Sequence, residues 1–273
     1  MLKECLEAVE RKMPFIHNIT NYVTVNDVAN VLLACKASPI MADDLEEAAE
    51  ITSICDGLTI NIGTLNQHTV PAMFAAGKQA VKLGHCVVFD PVGAGASMFR
   101  TNTALSLMRE ISFDCIRGNS SELKALVFGS GNTEGGDANV MDVVTEENLE
   151  EMILIFQAFA KERHCILVCT GAIDLVLDER HSYIIRNGRP EMSKITGTGC
   201  QLSAVTAAYL AANPERKLEA CAAAVCVMGI AGEVAWERME KGDGNASYRN
   251  RIIDAVYRMS GEELERRANY EMR

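Results

Sequence analysis

Ten cysteines occur in this chain, yet none stands in a C-x-x-C pair, and the five histidines are scattered. A structural zinc site needs close cysteine pairs or a cysteine and histidine cluster, so none is expected. No segment approaches the ~20 uninterrupted apolar residues of a membrane span. The opening MLKECLEAVERKMP is amphipathic and charged, without the apolar stretch of a signal peptide. The expectation is a cytoplasmic protein whose thiols stay reduced, most of them core fillers in apolar strands and helices. Positive charge is also short. Lys and Arg number 26 against 37 Asp and Glu, a formal charge of −11. That balance opposes attraction to a phosphate backbone or an anionic lipid surface, so neither nucleic acid nor membrane is expected as a partner. An anionic small molecule remains open if backbone amides, a cation or a metal supply the local field. The chain also lacks an evident linker or internal repeat, and a single domain over residues 1–273 is expected.

What the sequence does contain is the ordinary globular balance of 48% hydrophobic and 23% charged residues. Short β-branched runs alternate with longer helical patterns. Strands are predicted at 14–19, 38–41, 57–62, 86–90, 115–119 and 165–171, with a hairpin at 173–178 and 182–187. Helices are predicted near 25–36, 43–55, 66–84, 101–111, 120–128, 146–163, 199–212, 215–239 and 245–260. The alternation predicts an α/β fold, a mostly parallel sheet with helices on both faces and one antiparallel stretch. GSGNTEGGDAN, 129–139, is the longest loop-like segment.

In such sheets ligands bind off the carboxyl ends of the strands. Polar residues and glycines recur there. In DPVGAGAS, 90–97, Asp90 ends a strand and the glycines could cradle a phosphate or simply form a tight turn. No Lys-Ser/Thr follows, so it is not a P-loop, and the G-x-G-x-x-G spacing is absent. In RGNSSE, 117–122, Asn119 and Glu122 share one face at a helix start, and Arg117 at a strand end can reach an anion. Asp90 and Glu122 suit Mg²⁺, which takes few carboxylates and keeps its waters. A polar N-cap is the other reading of that pair. Thr170 and Gly171 follow another strand, where the hydroxyl could meet a nucleotide phosphate. IHNITNYVTVNDVAN, 16–30, carries Asn18, Asn21, Asn26 and Asn30, suited to turns, caps or a small polar ligand. His17 in that stretch reads as a core or turn histidine. Met41 ends its strand, as core or as pocket lining.

The sharpest stretch is ITGTGC, 195–200. Gly197, Thr198, Gly199 and Cys200 lie at a helix start, where unsatisfied amides and the helix dipole favour an anion. The same field should lower the pKa of the Cys200 thiol. Nucleophile, general base and small buried filler all remain open.

Taken in order, HNITNYV, ASPIMA, NIGT, DPVGAGA, IRGN-x-x-E, a TG turn after a strand, and TGTGC resemble the hydroxyethylthiazole kinases, thiamine-salvage enzymes of the ribokinase-like superfamily. The resemblance runs to about residue 260. It implies a three-layer αβα sandwich without a separate lid domain, a homotrimer with interfacial active sites, Mg²⁺ as metal, and ATP as phosphoryl donor to the hydroxyl of 5-(2-hydroxyethyl)-4-methylthiazole. By motif, Met41 and Gly197 match substrate positions, with Asn26 and Gly63 as further candidates. Arg117 and Thr170 match ATP positions; Asn119 and Glu122 match the N-x-x-E element that organises metal and phosphate, with Asp90 the further acid. Most of the superfamily has aspartate where this chain has Cys200, the position expected of a general base. The amides of Gly197 to Cys200, Gly199 among them, would hold the transferring group. A hydroxymethylpyrimidine kinase or a nucleotide-dependent repair dehydratase would share the fold, but Cys200 and HNITNYV count against both. Thiol catalysis lacks a histidine near Cys200 in sequence, and the acids near the phosphate site disfavour a nonenzymatic binder.

Overall fold

Alternation in the strand CVVFD shows how the layers arise. Cys86 and Val88 enter one buried cluster while Val87 and Phe89 enter another. Successive side chains of a strand point to opposite faces, so a strand that is apolar at every position must be covered on both. The computed structural model describes residues 1–129 and 143–273; apart from Gly129, the expected loop 129–139 lies outside them.

The chain runs α1 (Leu2–Lys12), β1 (Phe15–Ile19), α2 (Val25–Ala34), β2 (Ser38–Met41), α3 (Ala48–Ile54), β3 (Gly57–Asn61), α4 (Thr69–Leu83), β4 (Cys86–Asp90), α5 (Met98–Glu110), β5 (Cys115–Asn119) and α6 (Ser120–Phe128). After the undescribed stretch come α7 (Leu149–Arg163), β6 (Ile166–Thr170), β7 (Asp174–Leu177), β8 (Ser182–Ile185), a 3-10 turn (Pro190–Lys194), α8 (Thr198–Ala212), α9 (Lys217–Glu237), α10 (Asn245–Arg258), α11 (Gly261–Arg267) and β9 (Tyr270–Met272). Among the described residues the strands form one sheet ordered β2-β1-β3-β4-β5-β6-β7-β8-β9. It is parallel from β2 to β6 and antiparallel from β6 to β9. Helices cover both faces, giving the αβα sandwich. Helices α1, α2, α8, α9 and α10 share the cluster of Cys86 and Val88, and α4, α5 and α7 that of Val87 and Phe89.

Local chemistry moved several predicted boundaries. Helix α4 starts at Thr69 rather than 66 because the Asn66 side chain accepts from the amides of His68 and Thr69, turning the chain before the helix. Helix α5 starts three residues early, at Met98, capped by Ser97 on the amide of Arg100. The tail after residue 260 holds α11 and β9. Three residues are too few to show a period of two, and β9 exists only because β8 offers it an edge. At 21 residues helix α9 is long and apolar enough to cross a membrane, but 89% of its apolar window is buried inside the fold. It is the core helix beside α8. Helix α8 itself is buried from Gln201 to Ala211, lying between the sheet and α2 and α9. A helix so enclosed cannot shift its first turn without disturbing the core. All ten cysteines carry free thiols.

Candidate active site

Register places the strand-end residues beside one another. Asn61 pairs with Asp90 across β3 and β4, and Asn119 pairs with Thr170 across β5 and β6. Asp90 is wholly buried; its Oδ2 accepts from Asn61 Nδ2 and Ser203 Oγ, each at 2.8 Å, and lies 3.6 Å from Arg117 Nη1. Burial pushes its pKa up to about 6, against the pull of the Arg117 guanidinium and with a further push from Glu122. Arg117 reaches on to Thr170, donating from Nη2 to Oγ1 at 2.6 Å. The two predicted anion-binding residues thus act as one unit braced on Asp90.

The glycine loop after β4 takes the tight-turn reading of the two left open. Its amides do not face outward to cradle a phosphate. Gly93 N donates to Glu122 Oε1 at 2.8 Å, Ala94 N to Pro91, Gly95 N to Thr101 Oγ1 and Ala96 N to Gly93. The loop is a tight turn that docks on α6. Glu122 meanwhile closes a capping box with Asn119, accepting from its amide at 2.9 Å while Asn119 Oδ1 accepts from that of Glu122. The N-cap reading of this pair therefore holds in full.

For Mg²⁺ the fit is that of a hydrated ion. Each oxygen of Glu122 already accepts a backbone N–H, and among the described residues no three acids, histidines or cysteines cluster as a direct ligand set. Asp90 Oδ1, however, is buried without a hydrogen-bond partner, and the charge of Glu122 disfavours that of Asp90. Two carboxylates that repel, one with a spare oxygen, suit a cation that keeps its water shell.

The first turn of α8 faces this group. Gly197, the N-cap, has φ +90°, and a side chain there would place Cβ 2.5 Å from Thr24 Cγ2. Only glycine allows that approach. No side chain caps the helix, so its first amides remain available to an anion. Gly199 lies against the Arg117 guanidinium. Cys200 overturns the expected acidity. Its pKa is raised, because burial and then the charge of Asp90 outweigh the donors of Thr24 and Asn21 and the positive charge of Arg117. Apolar burial raises a thiol pKa, and here it outweighs the helix N-terminus.

The structure separates two asparagines of the stretch 16–30. Asn26 is exposed on α2 and bonded to Asn30, whereas Asn21 is buried and donates to Cys200 Sγ at 3.1 Å. Asn61, Ser203 and Thr24 were missed. The asparagine-rich stretch was a signal for Asn21 and the motif NIGT for Asn61, whereas nothing in sequence marked Ser203. Gly63 donates to Asn61 Oδ1. Met41 lies at the exposed end of β2. His17 is a satisfied core histidine as predicted, bonded to Thr52 and Ala42, with its pKa lowered by burial.

Two cavities open at this end of the sheet. One of 510 Å³ is bounded by Arg117, Thr170, Asp174, Met192, Gly199 and Met228. It is polar at the Arg117 end and apolar at Met192 and Met228. A smaller cavity of 90 Å³ lies between Ile19, Tyr22, Asn61 and Met73. Met41 and Asn26 line neither. A wider cleft of 780 Å³, around Asp114, His181 and Lys217, opens where β5 and β6 begin, away from all these residues.

Comparison with known proteins agrees with this geometry. The hydroxyethylthiazole kinase family matches residues 6–262. The chain is 57% identical over 271 residues to the hydroxyethylthiazole kinase of Clostridium acetobutylicum, covering 99% of each. The solved hydroxyethylthiazole kinase of Pyrococcus horikoshii superimposes with a TM-score of 0.88 at 33% identity, over 100% of this chain and 98% of that one. The Staphylococcus aureus pyridoxal kinase, solved with AMP-PCP and pyridoxal, shares the fold at a TM-score of 0.61 and 14% identity, over 95% of this chain and 97% of that one.

Proposed function

The chain belongs to the hydroxyethylthiazole kinase family, and from that premise we propose how its strand-end residues carry out the reaction. The reaction is transfer of the γ-phosphoryl group of ATP to the hydroxyl of 5-(2-hydroxyethyl)-4-methylthiazole, giving 4-methyl-5-(2-phosphooxyethyl)thiazole for thiamine salvage. ATP occupies the 510 Å³ cavity, with its base toward Met192 and Met228 and its phosphates toward Arg117 and Thr170. The open amides of the first turn of α8, from Thr198 to Cys200, hold the transferring group, with Gly197 and Gly199 allowing close approach. The observation that carries this reading is the convergence of Asp90, Arg117, Cys200 and that open helix start at the strand ends.

The acceptor hydroxyl sits at Cys200, in the space reached through the smaller cavity. Phosphoryl transfer passes through a loose transition state, so positioning and charge stabilisation matter more than early deprotonation. A thiol with a raised pKa can therefore serve as a modest base or as the group that positions the hydroxyl. Mg²⁺, when bound, neutralises phosphate charge; Asp90 and Glu122 would hold it, largely through water, with Asn119 fixing Glu122.

Exposure of apolar residues around the smaller cavity supports a trimer with shared sites. Tyr22, which lines that cavity, is 76% exposed, Val23 and Leu45 are 59% and 52% exposed, and Met41 ends the edge strand β2. Covered by a neighbouring subunit, Met41 and Asn26 become lining for the thiazole, beside Gly63. One sheet running through the described residues supports a single kinase domain, and buried reduced thiols support a cytoplasmic setting. ATP consumption with the thiazole alcohol, beside the pyrimidine alcohol, tests the assignment: turnover of the pyrimidine alone overturns it. Light scattering tests the trimer, and a monomer with full activity excludes shared sites.

A further inference from the structure

The hydrogens of two side-chain amides account for how the Cys200 sulfur is held. Asn21 Nδ2 donates to Asn61 Oδ1 at 3.1 Å and to Cys200 Sγ at 3.1 Å. Asn61 Nδ2 donates to Asp90 Oδ2 at 2.8 Å and to Cys200 Sγ at 3.3 Å. Each NH₂ group has two hydrogens, and each hydrogen has one acceptor. Neither amide can be turned over. Asn21 Oδ1 already accepts from the backbone N and the hydroxyl of Thr24, and Asn61 Oδ1 accepts from the backbone N of Gly63. Backbone donors cannot reverse their polarity, so both side chains must present N–H to the sulfur. The space is also closed: a side chain at Gly63 would place Cβ within 3.0 Å of both amides.

We propose that Asn21 and Asn61 are positioning residues of the phosphoryl transfer: their amides form a two-donor cradle that fixes the Cys200 sulfur against the acceptor hydroxyl and takes up negative charge that builds there. The proposal rests on the reading of Cys200 as the group that meets the alcohol. Asn61 adds a second link, because the same amide nitrogen holds Asp90, so the sulfur and the buried carboxylate move together. Amide donors serve an anion as well as a sulfur. The cradle is therefore indifferent to whether position 200 holds a thiol or a carboxylate, and useless where it holds alanine.

That indifference makes the test. Steady-state kinetics are measured for Asn21→Ala and Asn61→Ala in three backgrounds: Cys200, Cys200→Asp and Cys200→Ala. The expected result is a loss of about 10- to 100-fold in kcat with the first two, the size that misplacement of a reacting group produces, at an almost unchanged KM for ATP. In Cys200→Ala the further loss from Asn21→Ala should be under about twofold, because residues acting through one group are not additive, whereas Asn61→Ala, which also frees Asp90, should lose less there than in the other two backgrounds. Equal loss in all three backgrounds overturns the proposal, as a merely structural role predicts. A second measurement does not depend on turnover. Asn21→Asp keeps the shape but replaces a donor with a charged acceptor, and should slow alkylation of Cys200 by iodoacetamide several-fold at fixed pH, followed by peptide mass spectrometry. An unchanged rate in a folded variant also overturns the cradle. If the parent protein fails to turn over the thiazole alcohol while Asn21→Asp still slows alkylation, the reading of the substrate has failed and the cradle has not.

Discussion

The backbone N–H of Gly93 donates to Glu122 Oε1 across 2.8 Å, joining the glycine loop after β4 to the first turn of α6. Two motifs separated in sequence are therefore one mechanical unit, with Glu122 accepting a backbone donor on each oxygen. Replacing Glu122 by Gln sets an amide hydrogen against one of those donors. Glu122→Gln should lower kcat/KM for Mg·ATP by about 10²-fold, as loss of a charge-stabilising group commonly does. It should also cost about 1–2 kcal/mol of stability through the buried unpaired donor. Titration calorimetry should show thiazole binding almost unchanged, and equal weakening of both ligands would make Glu122 purely structural.

Cys200→Asp should keep or raise turnover. The Asn21 and Asn61 amides that hold the sulfur can hold a carboxylate as well. Turnover assays on the folded variant decide the matter; loss of activity would restore the nucleophile reading of the thiol.

Gly197→Ala should be damaging in two ways. At φ +90° a side chain is strained, and its Cβ would lie 2.5 Å from Thr24 Cγ2. A cost of about 1–3 kcal/mol in denaturant unfolding is expected. Because Thr24 braces Asn21, kcat should fall as well, and a variant with wild-type stability and activity would refute the close approach.

Asp174 gives a pH dependence. Burial raises its pKa to about 7 from an ordinary 3.8, against its bond to the Gly171 amide and the charge of Arg117. Between those values the folded state binds more protons than the unfolded one, so this group's contribution to stability falls as pH rises and is lost by about pH 7. The full shift is worth about 4 kcal/mol, reduced to roughly 2 by the partial solvent contact of the residue. Asp174→Asn keeps the acceptor for Gly171 and cannot titrate. Its stability relative to wild type should therefore increase from pH 4 to pH 7.5 in urea unfolding, and a constant difference would show that the carboxyl titrates normally.

Much of this architecture was legible from pattern. Strands β2, β4 and β5 have the predicted limits, since short runs containing β-branched or apolar residues between turn signals admit little else. The helix start at ITGTGC was legible because glycines followed by a long run of helix formers have few other uses. Chemistry that depends on the environment was not. The acidity of Cys200 was read from the helix dipole, a local property, but burial in the folded core and the charge of Asp90, 110 positions away, reversed it. The loop DPVGAGA read equally as a phosphate cradle or a turn, until the direction of its amides settled it.

Order along the chain was enough for the family, the sandwich and the reaction, because those follow from which residue types end which strands. Tertiary structure alone decided which asparagine meets the sulfur. Asn21, Asn61 and Cys200 lie 40 and 139 residues apart in turn, and only the parallel register of β1, β3 and β4, with α8 buried above them, brings two amides onto one thiol and ties one of them to a carboxylate. Hydrogen bonds require about 3 Å and a direction, and sequence distance specifies neither.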